Sequence, residues 1–198
     1  EFRRVLLRSF ESAAARLGLR HAFQVARGEW LAELVREATD AEGLVVSVAR
    51  AAALRGASAG AMRELARAPL RNVLFAREGW STGRRIVTLL TQIERDVASL
   101  EAAARFARAT RSPLTVLAAA ASRDAELERC VAEVLEPFGV GAPVLLTAGA
   151  PAAALRRSAN DARLLVLPAP RSANDEGLLD VALALRAPLL LVRDGGDS

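Results

Sequence analysis

The residues that could do chemistry are few. Gly56-Ala57-Ser58-Ala59-Gly60 reproduces the G-x-S-x-G pattern that holds a nucleophilic serine on a sharp strand-to-helix turn for acyl transfer. Such a serine needs a strand running straight into the turn and, in that hydrolase order, a histidine later in the chain. The nearest apolar run, Leu44 to Val48, stops well short of Gly56, and the single histidine, His21, precedes Ser58. The pattern therefore reads as a flexible helix entry. His21 follows Arg20 with no cysteine or second histidine near it, so it reads as a surface or edge histidine and not as a metal ligand. Cys130 shares helical spacing with Leu127, Val131 and Val134, which suits a small core residue better than a nucleophile. Gly139-Val140-Gly141 precedes an apolar run, whereas a dinucleotide loop must follow one, so it is a turn. Trp30 and Trp80 are candidate interface anchors but read better as a packing residue at a helix start and a linker plug. No catalytic residue, cofactor-binding residue or metal ligand emerges, and the chain is not expected to be an enzyme.

What must position a site is clearer. Arg163-Leu164-Leu165-Val166-Leu167-Pro168 is apolar without helical spacing, which describes a strand buried on both faces of a parallel sheet. In open sheets of that kind the ligand crevice lies beyond the carboxyl ends of the central strands. Function should be sought between Ala169 and Gly177, where Pro, Arg, Ser, Asn, Asp and Glu accompany a lone glycine.

Composition excludes several classes. All 27 basic residues are arginine, which lifts the isoelectric point to about 10.9 while the net charge is only +4. Nucleic-acid binding would gather arginine on one face beside stacking aromatics, but here arginine alternates with acids and aromatics are 4% of residues. No nucleic-acid partner is expected. No apolar run reaches the ~20 residues of a membrane span, so no direct membrane insertion is expected either. One cysteine rules out an intrachain disulfide and fits a reducing cytoplasm.

Steps of three and four from Phe2 to Leu17 predict an opening helix with Gly18 just past its end. A strand from Ala22 to Arg27, a helix carrying Leu31, Leu34, Val35 and Ala38, a strand from Leu44 to Val48, a helix near Ala59 to Arg67 and a strand from Asn72 to Arg77 follow. Turn-formers around Gly79 to Gly83 place a linker at 80–83, dividing the chain into a partial domain, 1–79, and a complete one, 84–198. In the second, strands Arg85 to Thr91, Leu114 to Ala119, Val144 to Ala148, Arg163 to Pro168 and Leu189 to Arg193 alternate with helices. Those helices carry Ile93, Val97, Leu100, Ala104 and Ala107; Asp124 to Leu135; Pro151 to near Asn160; and Leu178, Val181, Ala182 and Leu185. Ser172 with Asp175 predicts a capping box before the last helix. Helices joining successive strands act as crossovers, which makes the sheet parallel.

The two parts also repeat. Phe23 to Gly28 answers Val144 to Gly149, the strand at Leu44 answers that at Leu164, and Arg67-Ala68-Pro69-Leu70 with Arg77-Glu78-Gly79 answers Arg186-Ala187-Pro188-Leu189 with Arg193-Asp194-Gly195. The first copy has nothing matching Arg85 through Ser122.

The strand and long helix at Arg85 to Thr110, the Gly149-Ala150-Pro151 turn and the ending Arg186 to Val192 together resemble universal stress protein domains in tandem. The resemblance implies an α/β fold of two three-layer α/β/α units with parallel sheets ordered 3-2-1-4-5, the N-terminal unit lacking its first strand, helix and second strand. Those elements would lie upstream of Glu1 or come from another chain. Nucleotide-binding members carry an Asp ending the first strand and a G-x2-G-x9-G-[ST] loop after the fourth. Here the Asp position falls on Thr91, the loop region offers only Gly177, Gly56 and Gly60 are wrongly spaced in the first copy, and Asp175 and Glu176 would repel a triphosphate. The resemblance thus implies a cytoplasmic, non-enzymatic binding or regulatory module without ordinary ATP binding, acting through a homo-oligomer, an unknown protein partner, or pairing of its two halves through the last strands. The alternatives it leaves are a sensor of ATP or AMP with a diverged site and the cytosolic regulatory domain of a transporter. The closing run Leu189-Leu190-Leu191-Val192 is too apolar for a bare edge and is expected against Asn72 to Arg77.

Overall fold

The structure is a computed structural model and describes residues 14–16, 18, 20, 29–48, 56–77, 83–119 and 125–194. Most of the expected opening helix, His21, the strand at 22–27, Trp80 and the linker up to Thr82 lie outside the described residues. The chain divides into two compact units, Glu1–Leu34 and Val35–Ser198. In the first, Ala14 to Arg16 is helical and Gly18 takes a left-handed φ of +65°, the conformation a glycine past a helix end supplies at no steric cost. Helix α1, Trp30–Ala38, starts with Glu29 Oε2 accepting the Ala32 N–H at 3.0 Å. Trp30 does open a helix, but it is 57% exposed and is not the packing residue expected there.

The second unit is one seven-stranded sheet in the order β1-β2-β7-β6-β3-β4-β5. Its strands are β1 (Leu44–Val48), β2 (Asn72–Arg77), β3 (Arg85–Leu90), β4 (Leu114–Ala118), β5 (Val144–Leu146), β6 (Ala162–Pro168) and β7 (Leu189–Val192). Five of them, in the order β5-β4-β3-β6-β7, are parallel and carry the expected 3-2-1-4-5 arrangement. The runs that lack a polar alternation are the central strands: β4 and β7 are buried throughout, which two covered faces require. Among the described residues the antiparallel contact is between β2 and β7, where Leu74 faces Leu190 and Asn72 faces Val192.

One rung crosses the whole sheet: Val45, Leu74, Leu190, Val166, Thr88, Val116 and Val144. From Leu190 to Val116 this rung is buried beneath helices α3 (Ile93–Thr110) and α4 (Ala125–Leu135), which contribute Leu100, Ala103, Ala104, Ala107, Val131 and Leu135 to the same core. Helices α2 (Gly56–Arg67), α5 (Pro151–Ser158) and α6 (Ala173–Ala184) contact one another in series, α2 on α6 and α6 on α5. Leu178 and Leu179 of α6 meet Leu89, Leu167 and Leu191, the opposite side of the pleat.

Several sequence expectations shift by a residue or a turn. Helix α2 includes Gly56 and does not start near Ala59, so the G-x-S-x-G pattern lies within helix. On α3 the fully buried face adds Asp96 and Ser99 to the expected Leu100, Ala104 and Ala107, while Ile93 packs against the core partly buried and Val97 is half-buried; on α6 the buried residues are Leu179, Ala182 and Leu183. Rotations of this size follow from tertiary contact, which periodicity alone does not see. Cys130 is only half-buried. Gly83, expected to belong to a linker, packs so close to the backbone of Ala162 and Arg163 that an added Cβ would collide with it, and Arg84 N–H bonds to Asp161 O at 2.9 Å.

Candidate functional site

Strand order reverses between β3 and β6: β4 follows β3 on one side and β7 follows β6 on the other. Ligand crevices open beyond the carboxyl ends at such a switch point. A crevice of about 330 Å³ lies there, lined by Thr91, Gln92 and Arg95 after β3, by Ala169, Arg171 and Ser172 after β6, and by Asp194 after β7. The strand ends and the three-layer packing put it where the sequence pointed.

Two short loops shape it. After β3, Gln92 takes an extended conformation and caps α3, and Asp96, one turn in, folds back. Its Oδ2 accepts the N–H of Thr91 at 2.6 Å, the N–H of Gln92 at 3.0 Å and the Thr91 hydroxyl at 3.0 Å. Asp96 is only 4% exposed, and those three donors satisfy an oxygen that would otherwise be costly to bury. After β6 the capping box predicted from Ser172 and Asp175 is present. Asp175 Oδ2 accepts the N–H of Arg171 at 3.0 Å, the N–H of Ser172 at 2.9 Å and the Ser172 hydroxyl at 2.9 Å.

The backbone donors of the second loop can be followed one by one. Pro168 and Pro170 have none. Ala169 N–H bonds to Val192 O at 2.8 Å, and Arg171 and Ser172 give theirs to Asp175. Every amide hydrogen between Pro168 and Ser172 is thus absent or already bonded. Gly177 stands in the second turn of α6, exposed and with open space around it, and among the described residues no glycine lines the crevice. The cations that do line it are Arg95, whose Nη1 donates to Gln92 Oε1 at 2.8 Å, and Arg171. Burial, then the nearby Arg171, hold the Arg193 guanidinium below its ordinary value.

Of the residues singled out in the sequence, the structure brings Thr91, Arg171, Ser172 and Asp175 to one crevice. It does not bring Glu176, whose carboxylate pairs with Arg67 at 2.7 Å and does not line the crevice, so Glu176 is not the source of repulsion expected of it. Gly56, Gly60 and Cys130 are also elsewhere. Sequence reasoning did not single out Asp96, which lies outside the apolar positions by which the helix was read. The signal that could have found it is an acid one turn after a threonine at a strand end, the arrangement that Ser172 and Asp175 make visible. Among the described residues no group of three or more histidine, cysteine, aspartate or glutamate side chains could hold a metal ion.

No family model matches the sequence, and no curated protein matches it. Solved structures do. A universal stress protein from Archaeoglobus fulgidus DSM 4304 matches with a TM-score of 0.73 at 16% identity, over 98% of this chain and 77% of that one. Two shorter chains, a universal stress protein from Archaeoglobus fulgidus and the universal stress protein from Archaeoglobus fulgidus in complex with dAMP, are 18% and 17% identical. They cover 55% and 56% of this chain and 98% of their own, with TM-scores of 0.43 and 0.44. The fold is therefore that of a universal stress protein, a mostly parallel α/β sheet between helical layers. No helix among the described residues is long and apolar enough to cross a membrane.

Proposed function

We propose that this chain is a non-enzymatic universal-stress-type module that does not bind ATP in the manner of that fold's nucleotide sites. It acts instead by pairing, either with a protein partner or between copies and halves of itself, in the cytoplasm. The observation that carries the reading is the Pro168 to Ser172 loop, which keeps no backbone N–H for a phosphate. Phosphate cradles work by aiming several such donors at the ligand, and glycines let the backbone come close enough to do it.

The pairing element of the proposal is supported by reciprocity across the β2–β7 seam. Arg193, just after β7, donates to carbonyls at and just past the end of α2: Arg67 O at 3.4 Å, Ala68 O at 2.8 Å and Leu70 O at 3.3 Å. Arg77, at the end of β2, donates to the carbonyl of Leu183 near the end of α6. Each strand's terminal arginine caps the helix that belongs to the other strand, where a cation meets the negative end of the helix dipole. Arg63 with Asp180, at 2.6 Å, and Arg67 with Glu176 join α2 to α6 above the seam.

Isothermal titration with ATP, AMP and cyclic nucleotides tests the reading. No saturable heat is expected up to millimolar ligand. Saturable micromolar binding would overturn it in favour of a nucleotide-responsive sensor, a reading that Arg95 and Arg171 at the crevice would then serve.

A further inference from the structure

We infer that Asp96 and Asp175 are resident anions that close the switch-point crevice to phosphate ligands, and that these two side chains, more than the missing glycines, set what the site refuses. The inference rests on the reading above and assigns it to residues. The loops bordering the crevice are built alike, although one follows β3 and the other β6. In each, a single carboxylate oxygen gathers two consecutive backbone N–H groups and one hydroxyl, within 2.6 to 3.0 Å on Asp96 and 2.9 to 3.0 Å on Asp175. Three donors converging on one oxygen at the start of a helix is what a bound phosphate oxygen would require of the same backbone.

A tethered carboxylate has two advantages over a free anion. It is always within reach, so its capture of the donors costs no association entropy, and while in place it repels a second negative charge. A phosphate entering between β3 and β6 meets both carboxylates, because both loops line the same crevice. Burial keeps Asp96 from turning aside, and the bonds to Arg171 and Ser172 keep Asp175 at the mouth.

The test is titration of AMP and of inorganic phosphate into the wild-type chain and into Asp175→Ala, Asp96→Ala, Asp175→Asn and Asp96→Asn, with circular dichroism and thermal melts confirming that each is folded. The alanine variants release the donors and remove the charge. The asparagine variants remove the charge and keep an acceptor for the amides, so their gain should be smaller. Asp175→Ala is expected to bind AMP about ten-fold or more tighter than wild type, the scale of the charge-assisted bonds it frees. If folded Asp175→Ala binds AMP and phosphate no better than a wild type that does not bind, the inference is overturned while the proposed function stands. If wild type itself binds AMP, the proposed function falls, and the inference is then judged on the ratio of variant to wild type alone. Should Asp96→Ala fail to fold, Asp175→Ala and the two asparagine variants decide the matter without it.

Discussion

Strands β1 and β6 occupy equivalent places on either side of the β2–β7 seam, and their surroundings could hardly differ more. Leu74 and Leu190 face each other across the seam; next to Leu190 on the rung is Val166, fully buried at 0% exposure, and next to Leu74 is Val45, 67% exposed. The side chains are identical, and both strands read as apolar runs. The difference is what covers them. Val166 lies beneath α3 and is flanked by β3, whereas β1 ends the sheet among the described residues. The burial of β1 alternates, and that of β6 is nearly continuous. A strand's sequence states how much apolar surface it offers; the neighbouring layer decides how much of it is used.

Seven substitutions can break or sharpen this contrast. The largest effect is expected at the seam itself. Leu191→Asp places a charge between Leu167 and Val73, at a site that is almost wholly buried, and should cost upwards of ~4 kcal/mol. Size-exclusion chromatography should then show aggregation or separation of β1 and β2 from the parallel strands, and a soluble, normally melting variant would refute the structural role given to the seam. Next comes the pair Val166→Ala and Val45→Ala. The first leaves a cavity under α3 and should lower stability by about 2 kcal/mol, the second by less than ~0.5 kcal/mol, in urea unfolding. Equal losses would mean that β1 is covered in solution.

Smaller differences separate the two cross-capping arginines. Arg193→Met gives up contacts to three carbonyls and should cost about 1.5 kcal/mol. Arg77→Met should cost less, because its buried Nε has no partner and burial already holds its guanidinium below the ordinary value. Thermal melts of both variants give the ranking, and a reversed order would count against this account of the seam. The smallest effect is a gain. Thr88 lies on the buried rung with a hydroxyl that has no partner, so Thr88→Val should stabilise by ~1 kcal/mol, whereas Ser47→Val on exposed β1 should stay within ~0.5 kcal/mol of wild type. Equilibrium unfolding that shows Thr88→Val destabilised would point to a hydrogen bond for that hydroxyl.

Much of this was legible before folding was considered. The strand runs and the crossover helices follow from apolar stretches separated by helical spacing, the capping box at Ser172 and Asp175 follows from two residues three apart, and the 3-2-1-4-5 order of the parallel strands came only from the family resemblance. Asp96 was not legible, since an acid on a helix looks solvent-facing until the strand end beside it supplies three donors. Glu176 was misjudged for the complementary reason: its partner, Arg67, lies more than a hundred residues away, on a helix that only the seam brings near. Trp30 was assigned to the interior on residue type and Cys130 on helical spacing, but burial depends on which helix face meets a neighbour.

The amino-acid order alone determined which of the described segments become strands and helices and that the central strands would be covered on both sides, because these depend on local periodicity and on residue types. Tertiary structure decided which identical valines are sheltered, which acids face the crevice and which turn away, and that every amide donor from Pro168 to Ser172 is absent or taken. Those outcomes depend on distances between residues far apart in the chain, and only packing fixes such distances.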